Sequence, residues 1–343
     1  MRAPYRVGLL GLGHVGGALA RRLIEDGERV ASAAGRPIIL DAIAVARPQG
    51  RTAPASLVPA DALLKRPHLD AIVELIGGID PALTYICSAL QSGLEVITAN
   101  KQLIAARGPA LAQLGPLRFE ASVASAIPIV ETLAETLAAD RINSLIGILN
   151  GTTNSILDAM AAGADYADAL ADAQRRGLAE ADPSADVDAH DPAAKLAILG
   201  MLGFRRRIEP SQIERVGIRG LDQRQLVAAH ERGFVVKLIA AASMTGPGIE
   251  ADVRPRLIPD DAPLARVAGA MNAISVDAAY AGTLVLQGPG AGPDAAASAV
   301  LADLIRAARG TPASAGALLA SLADQPVATI TPLGLQTPFP AVP

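Results

Sequence analysis

The sequence has little cysteine, few aromatic residues and little net charge. Its 343 residues include one cysteine, Cys87, which excludes an intramolecular disulfide framework and favours a reducing compartment, so we expect a cytoplasmic protein. Aromatic residues make up 2% of the chain, and the formal net charge is -4. Because the chain offers neither a basic face nor a set of stacking rings, we expect no nucleic-acid partner.

Long hydrophobic runs and metal-ligand spacings are also missing. No segment has the length and uniform apolarity of a membrane span, and the first residues enter a strand pattern without signal-peptide features, so we expect no membrane association. An apolar content of 51% is enough to bury a large core, and the length suggests two domains. Lysine is rare, so each of the four lysines is considered as a candidate functional residue: Lys65, Lys101, Lys195 and Lys237.

A glycine-rich turn follows the first strand pattern. The apolar run Tyr5 to Leu10 ends in GLGHVG, and a helical pattern follows from Ala18 to Glu25. In this spacing the first glycine permits the turn, the second lets a pyrophosphate approach the backbone, and the third permits close helix packing. The pattern predicts dinucleotide binding, with a chance glycine turn as the alternative, by the six residues Gly11, Leu12, Gly13, His14, Val15 and Gly16.

The second strand pattern, Ile38 to Ala46, ends in Arg47 where an acidic residue would bind a ribose 2′-hydroxyl. An arginine at this position, with Arg51 nearby, favours a 2′-phosphate. We therefore expect NADP, with NAD still open and an exposed arginine without that role as the alternative.

Two further strand ends are expected at the cofactor. The buried pattern Leu69 to Ile76 is followed by Gly77, where backbone can pass close to a ligand, and the strand Leu94 to Ala99 carries Thr98 near its end. Lys101 comes directly after that strand. Because ligands bind outside the carboxyl ends of parallel strands, we expect Lys101 to project towards the same crevice as the glycine turn.

The order of elements predicts an α/β fold: a Rossmann-type doubly wound parallel sheet followed by a second α+β domain. We expect the dinucleotide-binding domain over residues 1–128, with a helix at about 294–310 packing back on it. The substrate and dimerisation domain is expected over 129–293, and a C-terminal tail over 311–343, loosely held from Pro332.

An acidic stretch, Leu178 to Leu199, is the candidate chemical centre. It predicts a helix start with Asp191 as N-cap, Pro192 in the first helical position and Lys195 four residues after Asp191. A capped surface helix with a solvated charge cluster is the alternative interpretation.

Six motifs, in order, resemble homoserine dehydrogenase, over about residues 5 to 310. They are GLGHVG, TANK at 98–101, EASVASAIPIVETL at 120–133, GILNGTTNSIL at 147–157, the acidic stretch, and GPGAGPDAAASAVLADL from Gly288. The resemblance is to a short form without the regulatory domain that some members carry. It implies hydride transfer between homoserine and NAD or NADP, giving aspartate 4-semialdehyde, in two domains that meet across a cleft, usually in a homodimer.

The resemblance also implies roles for individual residues. Lys195 would carry the proton at the reacting oxygen, and Lys101 would be the second active-site lysine, near the nicotinamide. Substrate would be held by Glu180 at its ammonium, with Asp186, Asp191, Gly151 and Thr152 around it. A sodium ion would be bound by Glu120 and the backbone carbonyls of Val123, Ser125 and Ile127.

Three places depart from the family pattern. Leu178 replaces a usual tyrosine, the segment Ala124 to Ala126 replaces glycines, and Ala189 and Pro192 replace a glycine and an alanine. A dehydrogenase or reductase of another small hydroxy or amino acid therefore remains an alternative. So does a protein that binds a dinucleotide as a sensor without catalysis. An aspartate-semialdehyde dehydrogenase would need a nucleophilic cysteine, which Cys87 in its predicted helix does not supply.

Overall fold

The computed structural model describes residues 2–50, 52–246 and 248–333, which form two compact units. Unit 1 comprises the described residues up to Thr136 together with Gly292–Gln325. Unit 2 comprises Leu137–Ala291 together with the described residues from Pro326. The first unit thus extends eight residues past the expected boundary at residue 128, and it includes residues 311–325, which were expected to belong to a tail.

Unit 1 contains a parallel sheet of six strands, in the order β3-β2-β1-β4-β5-β6. The strands are β1 (Tyr5–Leu10), β2 (Ile38–Ala44), β3 (Ser56–Val58), β4 (Ala71–Glu74), β5 (Glu95–Thr98) and β6 (Leu117–Arg118). Every neighbouring pair in the sheet is parallel. The predicted doubly wound sheet is confirmed, and β3 is a strand that the sequence pattern missed.

Helices connect these strands in unit 1. They are α1 (His14–Glu25), α2 (Gly27–Ala34), α3 (Ala60–Leu64), α4 (Ala82–Gln91), α5 (Lys101–Ala112) and α6 (Ile129–Glu131). A 3-10 turn, Glu120–Ser122, follows β6, and a π-helical turn, Thr132–Thr136, follows α6. Helix α6 begins directly after Pro128, which lacks the backbone N–H that a residue inside a helix would donate.

Unit 2 contains a mixed sheet of seven strands, in the order β12-β11-β7-β9-β10-β13, with β8 paired to β10. The strands are β7 (Ile142–Ile148), β8 (Glu214–Arg215), β9 (Phe234–Thr245), β10 (Gly248–Pro259), β11 (Met271–Ala278), β12 (Gly282–Pro289) and β13 (Ile330–Thr331). The expected α+β character of this unit is confirmed by five helices: α7 (Gly151–Ala161), α8 (Tyr166–Arg175), α9 (Ser184–Val187), α10 (His190–Phe204) and α11 (Gln223–His230).

The chain then returns to unit 1 in helices α12 (Pro293–Arg309) and α13 (Ser314–Leu322). Buried apolar residues of α12, among them Val300 and Leu304, belong to the same core cluster as Val7 and Leu19. Helix α13 lies against β6, where a Cβ on Gly316 would be 2.3 Å from the carbonyl oxygen of Leu117. Residues 311–325 are therefore a packed part of unit 1.

Within the described residues, no helix combines the length and the apolarity that crossing a membrane requires. The expected tail also includes residues 334–343, which lie outside the described part of the chain.

Candidate active site

The glycine turn between β1 and α1 has the geometry that its spacing predicts. Gly11 has a φ of +99°, and a Cβ there would lie 2.7 Å from the carbonyl oxygen of Leu75. At Gly16 a Cβ would lie 2.2 Å from the carbonyl oxygen of Gly11. Both positions therefore exclude any side chain, which ties the start of α1 closely to the end of β1.

Gly13 differs from these two glycines because it faces open space. A Cβ at Gly13 would meet no described atom within 4 Å, and the residue is exposed at the N-terminus of α1, where it is the N-cap. His14 is exposed, whereas Leu12 and Val15 are half-buried. An approachable backbone at a helix N-terminus fits the pyrophosphate of a dinucleotide, because the first N–H groups of a helix have no intrahelical acceptors.

Arg47 lies three residues beyond the end of β2 and is exposed. Its position after the second strand of the sheet agrees with the expected place of a group that contacts the adenosine ribose. Arg51, its expected neighbour in that role, lies outside the described residues.

Glu74, the last residue of β4, is a fully buried carboxylate that sequence reasoning missed. One carboxylate oxygen accepts from the backbone N–H groups of Ile76 at 2.7 Å and Gly77 at 2.9 Å. The other accepts from Oγ1 of Thr98, at 2.6 Å, in β5. This carboxylate therefore holds the turn at Gly77 and joins the ends of two neighbouring strands.

Further hydrogen bonds from Thr98 set the position of the helix that begins at Lys101. Oγ1 of Thr98 accepts from the backbone N–H of Asn100 at 3.0 Å, and the Asn100 side chain donates to the carbonyl of Gly78 at 2.6 Å. Asn100 also caps α5, since its Oδ1 accepts from the N–H of Leu103. Lys101 is the first residue of that helix, so its position is set by the strand-end bonds.

In unit 2, Lys195 is buried in the second turn of α10. Its Nζ donates to Oδ2 of Asp191 at 2.8 Å and to the carbonyl oxygen of Leu149, at the end of β7, at 2.7 Å. Two oxygens therefore stabilise the ammonium form of a lysine that the positive end of the helix dipole would otherwise disfavour.

Asn150 is the residue around which the acidic groups gather. Its Nδ2 donates to Oδ1 of Asp186 at 2.6 Å and to Oδ2 of Asp191 at 2.8 Å. Its Oδ1 accepts from the N–H of Thr153 at 2.9 Å and so caps α7. Asn150 begins the polar turn 150–154 of the GILNGTTNSIL motif, and no role was predicted for it, although a strand followed by Asn at a helix start is a recognisable cap signal.

The expected cap by Asp191 is wrong. Helix α10 begins at His190 with Ala189 as its N-cap, so Asp191 and Pro192 are the second and third helical residues. Ala189 has a left-handed conformation, with φ +63°. The Asp191 carboxylate is used by Lys195 and Asn150 instead, since buried charged groups take the strongest available donors.

The other residues expected around the substrate differ in how far they are buried. Gly151 is buried against the loop before β11, where a Cβ would lie 2.5 Å from the carbonyl oxygen of Ala270. Oγ1 of Thr152 donates to the carbonyl of Leu178 at 2.8 Å, which places Leu178 beside the turn. Glu180 is exposed, and its backbone carbonyl accepts from Gln174 at 3.1 Å.

The expected sodium loop is buried in unit 1, but the Glu120 side chain does not fit as a ligand. Its two carboxylate oxygens accept from the backbone N–H groups of Val130 at 2.9 Å and Glu131 at 3.0 Å, so the carboxylate serves the start of α6. Ala124 and Ser125 have φ values of +52° and +53°. A left-handed conformation costs a non-glycine residue roughly 1 kcal/mol, which accounts for the glycines usual at these positions.

The loop between Glu120 and Ile127 offers backbone oxygens for a cation. The Ile127 carbonyl already accepts from the N–H of Ile129 at 2.8 Å, which leaves the carbonyls of Val123 and Ser125 as the better candidates. Among the described residues, no group of three or more His, Cys, Asp or Glu side chains is arranged to hold a metal ion.

Three carboxyl groups are buried together behind this loop. Asp303 of α12 accepts from the N–H of Glu120 at 2.9 Å and from Arg306 at 2.9 Å. Burial raises the pKa of Asp303 and of Glu131 to about 7, and it raises the pKa of Glu120 as well. The Arg306 guanidinium opposes these shifts but does not cancel them.

Comparison with known proteins gives one family for both units. The model of the homoserine dehydrogenase NAD binding domain matches residues 11–116, and the homoserine dehydrogenase model matches residues 128–305. A homoserine dehydrogenase of Corynebacterium glutamicum is 43% identical over 318 residues, which is 88% of this chain and 72% of the relative.

Solved structures agree with these matches. The crystal structure of a homoserine dehydrogenase from Thiobacillus denitrificans has a TM-score of 0.89 at 37% identity, covering 96% of this chain and 80% of that one. A hyperthermophilic archaeal homoserine dehydrogenase in complex with NADPH has a TM-score of 0.73 at 26% identity, covering 90% of this chain and 99% of that one.

Proposed function

The chain belongs to the homoserine dehydrogenase family, and from that premise we propose which of its residues carry the reaction. It is an oxidoreductase that acts on a CH–OH group and interconverts L-homoserine and L-aspartate 4-semialdehyde, a reaction of threonine and methionine biosynthesis. The observation that carries this assignment is the match of both units to one family.

A nicotinamide dinucleotide, when bound, accepts a hydride from homoserine or supplies one to the semialdehyde. The glycine turn of unit 1 fits this cofactor, because Gly13 leaves the backbone open where α1 begins. Gly77 and Thr98, held by the Glu74 carboxylate, form the neighbouring strand ends of the proposed cofactor site.

Lys195 is the proposed proton carrier. In the direction of reduction, its ammonium donates a proton to the aldehyde oxygen as hydride reaches the carbonyl carbon, and in oxidation its amine takes the hydroxyl proton. The contact with Asp191 supports this role, since a carboxylate at 2.8 Å fixes the position of the Lys195 Nζ, whose proton is exchanged with solvent between turnovers.

Lys101 is the proposed second lysine, at the cofactor end of the reaction. A cation in the first turn of a helix is electrostatically unfavourable unless an anion or a dipole compensates it. The bonds from Glu74 through Thr98 to Asn100 fix the start of α5, and they therefore fix the backbone from which the Lys101 side chain extends.

The substrate end is assigned to the polar turn and the acidic stretch of unit 2. Homoserine brings an ammonium that needs carboxylates, and Asp186 and Asp191 are joined there by the Asn150 amide. Gly151 and Thr152 would line the same end, and Glu180 would complete the ammonium contacts from its exposed position. The apolar side chain of Leu178 would lie beside them, in place of the hydroxyl of the usual tyrosine.

NADP is the proposed preferred cofactor. An exposed arginine beyond β2 supports this preference, because a guanidinium binds a 2′-phosphate through charge-assisted bonds that a 2′-hydroxyl cannot match. NAD remains the competing cofactor, and the two are separated by the Arg47 variant discussed below.

A sodium ion at the carbonyls of Val123 and Ser125 is a further proposal, which assigns no step of the reaction to the ion. The Ser125 hydroxyl supports it, since this buried group has no hydrogen-bond partner among the described residues. We expect the protein in sodium-free buffer to gain a few degrees of melting temperature on addition of millimolar sodium chloride. An equal response to tetramethylammonium chloride contradicts a specific site.

A homodimer and a cytoplasmic location complete the proposal. The homodimer rests on family expectation alone, and the cytoplasmic location rests on a chain that has one cysteine. Light scattering behind size exclusion should give twice the chain mass of 34.9 kDa, and a single-chain mass contradicts the dimer.

The test of the whole assignment is absorbance at the reduced-nicotinamide band with L-homoserine and either NAD or NADP. We expect turnover with both cofactors and a higher kcat/KM with NADP. Cofactor binding without turnover on either cofactor would instead favour a dinucleotide sensor.

A further inference from the structure

Lys237 is a buried lysine that the proposed reaction does not use. It lies in β9 and is 3% exposed. Its Nζ donates to three oxygens: Oδ1 of Asn154 at 2.9 Å, Oδ1 of Asp158 at 2.7 Å and the carbonyl of Val267 at 2.8 Å. An ammonium has three protons to donate, so these acceptors account for all of them.

The three acceptors belong to two separate elements. Asn154 and Asp158 are four residues apart and therefore lie on one face of α7. Val267 begins the loop 267–270, which leads into β11. The Lys237 ammonium, which extends from β9, therefore joins α7 to the loop 267–270.

Further bonds join the same helix and loop around the ammonium. Nδ2 of Asn154 donates to the carbonyls of Val267 at 3.0 Å and Gly269 at 2.9 Å. Oδ2 of Asp158 accepts from the N–H of Gly269 at 2.7 Å. Lys237 orients both side chains, because it occupies Oδ1 of each and leaves the other polar atom directed at the loop.

The loop in turn lies against the first residue of α7. A Cβ on Gly151 would be 2.5 Å from the carbonyl oxygen of Ala270 and 3.0 Å from its Cα. Asn150, which holds Asp186 and Asp191, immediately precedes this contact. A shift of the loop by an ångström would therefore displace the turn that gathers the acidic groups.

Stability alone does not account for a lysine at this position. In the antiparallel register Lys237 is opposite Arg256, so the two cations lie on the same face of the sheet. Asp252 neutralises Arg256 at 2.8 Å and Asp158 neutralises Lys237 at 2.7 Å, but a buried ion pair contributes little net stability compared with well-packed apolar residues. What the ammonium provides that an apolar side chain cannot is a fixed distance between α7 and the loop.

We propose that Lys237 is a positioning residue for the substrate: by fastening the loop 267–270 to α7, it sets the geometry of the turn at Asn150–Thr152 that receives the amino acid. The inference rests on the proposed assignment of that turn to homoserine. It separates Lys237 from Lys195 and Lys101, since Lys237 acts through the backbone of the turn and touches no reacting atom.

The experiment compares Lys237→Met with Lys65→Met, an exposed lysine of unit 1, as the matched control. We expect Lys237→Met to raise the KM for homoserine about 10-fold or more, because small displacements at a binding site have large effects. The kcat should stay within about 3-fold and the NADP dissociation constant, measured by fluorescence, should not change. Hydrogen exchange at the Gly269 amide should become faster, and Lys65→Met should alter none of these values.

A second variant keeps the test decisive if Lys237→Met does not fold. Asp158→Asn retains an oxygen for the lysine but presents an N–H₂ group to the Gly269 amide, so the loop loses one bond to the helix. We expect faster exchange at Gly269 and a KM for homoserine raised about 3-fold.

Two results would overturn the inference. The first is an unchanged KM in a folded variant whose Gly269 amide exchanges faster. The second is a parallel change of KM, kcat and NADP affinity in proportion to the loss of melting temperature, which would show a merely structural role. Absence of homoserine turnover in the wild-type protein is a different failure, because it contradicts the residue roles proposed above.

Discussion

At the scale of single residues, the chain offsets the electrostatic cost of its buried cations with oxygens from other elements. Lys195 is held by the carbonyl of Leu149 as well as by Asp191 of its own helix. Removing the amine leaves the Asp191 carboxylate with the Asn150 amide, so the pocket loses the group that moves the proton while keeping part of its structure.

Lys195→Ala is therefore expected to lower kcat by about 100-fold or more and to leave the NADP dissociation constant nearly unchanged. Steady-state kinetics with homoserine and fluorescence titration with NADPH measure the two quantities. Lys65→Ala is the control. A change in kcat of only a few fold would contradict the proton-carrying role.

Arg47 belongs to the same scale, since its proposed contact is with one phosphate group. Arg47→Ala should weaken NADP binding by about 10-fold or more and NAD binding far less, because NAD lacks the charge that the arginine would pair with. Calorimetric titration with each dinucleotide measures the difference, and Arg29→Ala, an exposed arginine of α2, is the control. Equal losses for both cofactors would remove the basis for an NADP preference.

At the scale of elements, the active-site groups sit where a strand ends and a helix begins. Asn150 follows β7 and caps α7, and Asn100 follows β5 and caps α5. In both cases one asparagine satisfies an N–H of the helix with its oxygen while its amide nitrogen ties down another segment. Such a residue links local helix stability to the geometry of a site.

Asn150→Ala should therefore have two effects. Loss of the cap costs about 1 kcal/mol, and the KM for homoserine should rise about 10-fold because Asp186 and Asp191 lose their common donor. The matched control is Asp165→Ala, which removes the cap of α8. Thermal melting should fall in both variants, and a raised KM in the control, or an unchanged KM in Asn150→Ala, would contradict the proposed link.

The sequence was sufficient for features that depend on local geometry. The glycine turn could be predicted because its steric constraints are mostly local. A Cβ at Gly16 would meet the carbonyl oxygen of Gly11 in the same turn, and a Cβ at Gly11 would meet the carbonyl oxygen of Leu75, just after the neighbouring strand β4. The position of Lys101 beyond a strand end could be predicted because the apolar run before it stops at Ala99, and Lys101 is the first residue of α5. The longer helices and strands followed from hydrophobic periodicity, with boundaries that moved by a few residues, whereas short elements such as β3, α2 and α3 were not predicted.

What the sequence did not disclose depends on partners that lie far apart along the chain. Glu74 lies inside the predicted strand pattern Leu69 to Ile76, and its role becomes visible only with Thr98 beside it in the sheet. Asp191 has the sequence features of an N-cap, yet its carboxylate is drawn to Asn150, which is 41 residues away. A cap preference of about 1 kcal/mol is smaller than the cost of leaving a buried carboxylate or lysine unpaired.

At the scale of the whole molecule, the buried carboxyl groups of unit 1 link its stability to pH. The folded-state pKa of both Glu131 and Asp303 is raised, by burial first, to about 7 from ordinary values of 4.5 and 3.8. At pH values between the ordinary pKa and the raised pKa of each group, the folded state binds more protons than the unfolded state. Their contribution to stability is therefore complete below pH 4 and is lost as the pH rises through 7.

We accordingly expect the unfolding temperature of unit 1 to fall between pH 5 and pH 8. Glu131→Gln removes one of these two titrating carboxyl groups, so calorimetric scans should show a shallower fall of the melting temperature with pH. At pH 8 the variant should melt at a higher temperature than the wild-type protein, by about 2–4 °C for each kcal/mol recovered. Glu25→Gln, which alters an exposed carboxylate of α1 that is not among the charges acting on Glu131 or Asp303, is the control. A melting temperature that rises over this range would contradict the raised pKa values.

The return of α12 and α13 to unit 1 also affects how the protein is made. Residues up to Thr136 leave the ribosome first, but the side chains of Val300 and Leu304 that complete their core come after residues 137–291. At ordinary translation rates that interval is roughly 10–30 s, during which the nascent sheet exposes the apolar surface that α12 will cover. The larger part of the dinucleotide-binding unit, the described residues up to Thr136, therefore stays accessible to chaperones until α12 has been synthesised.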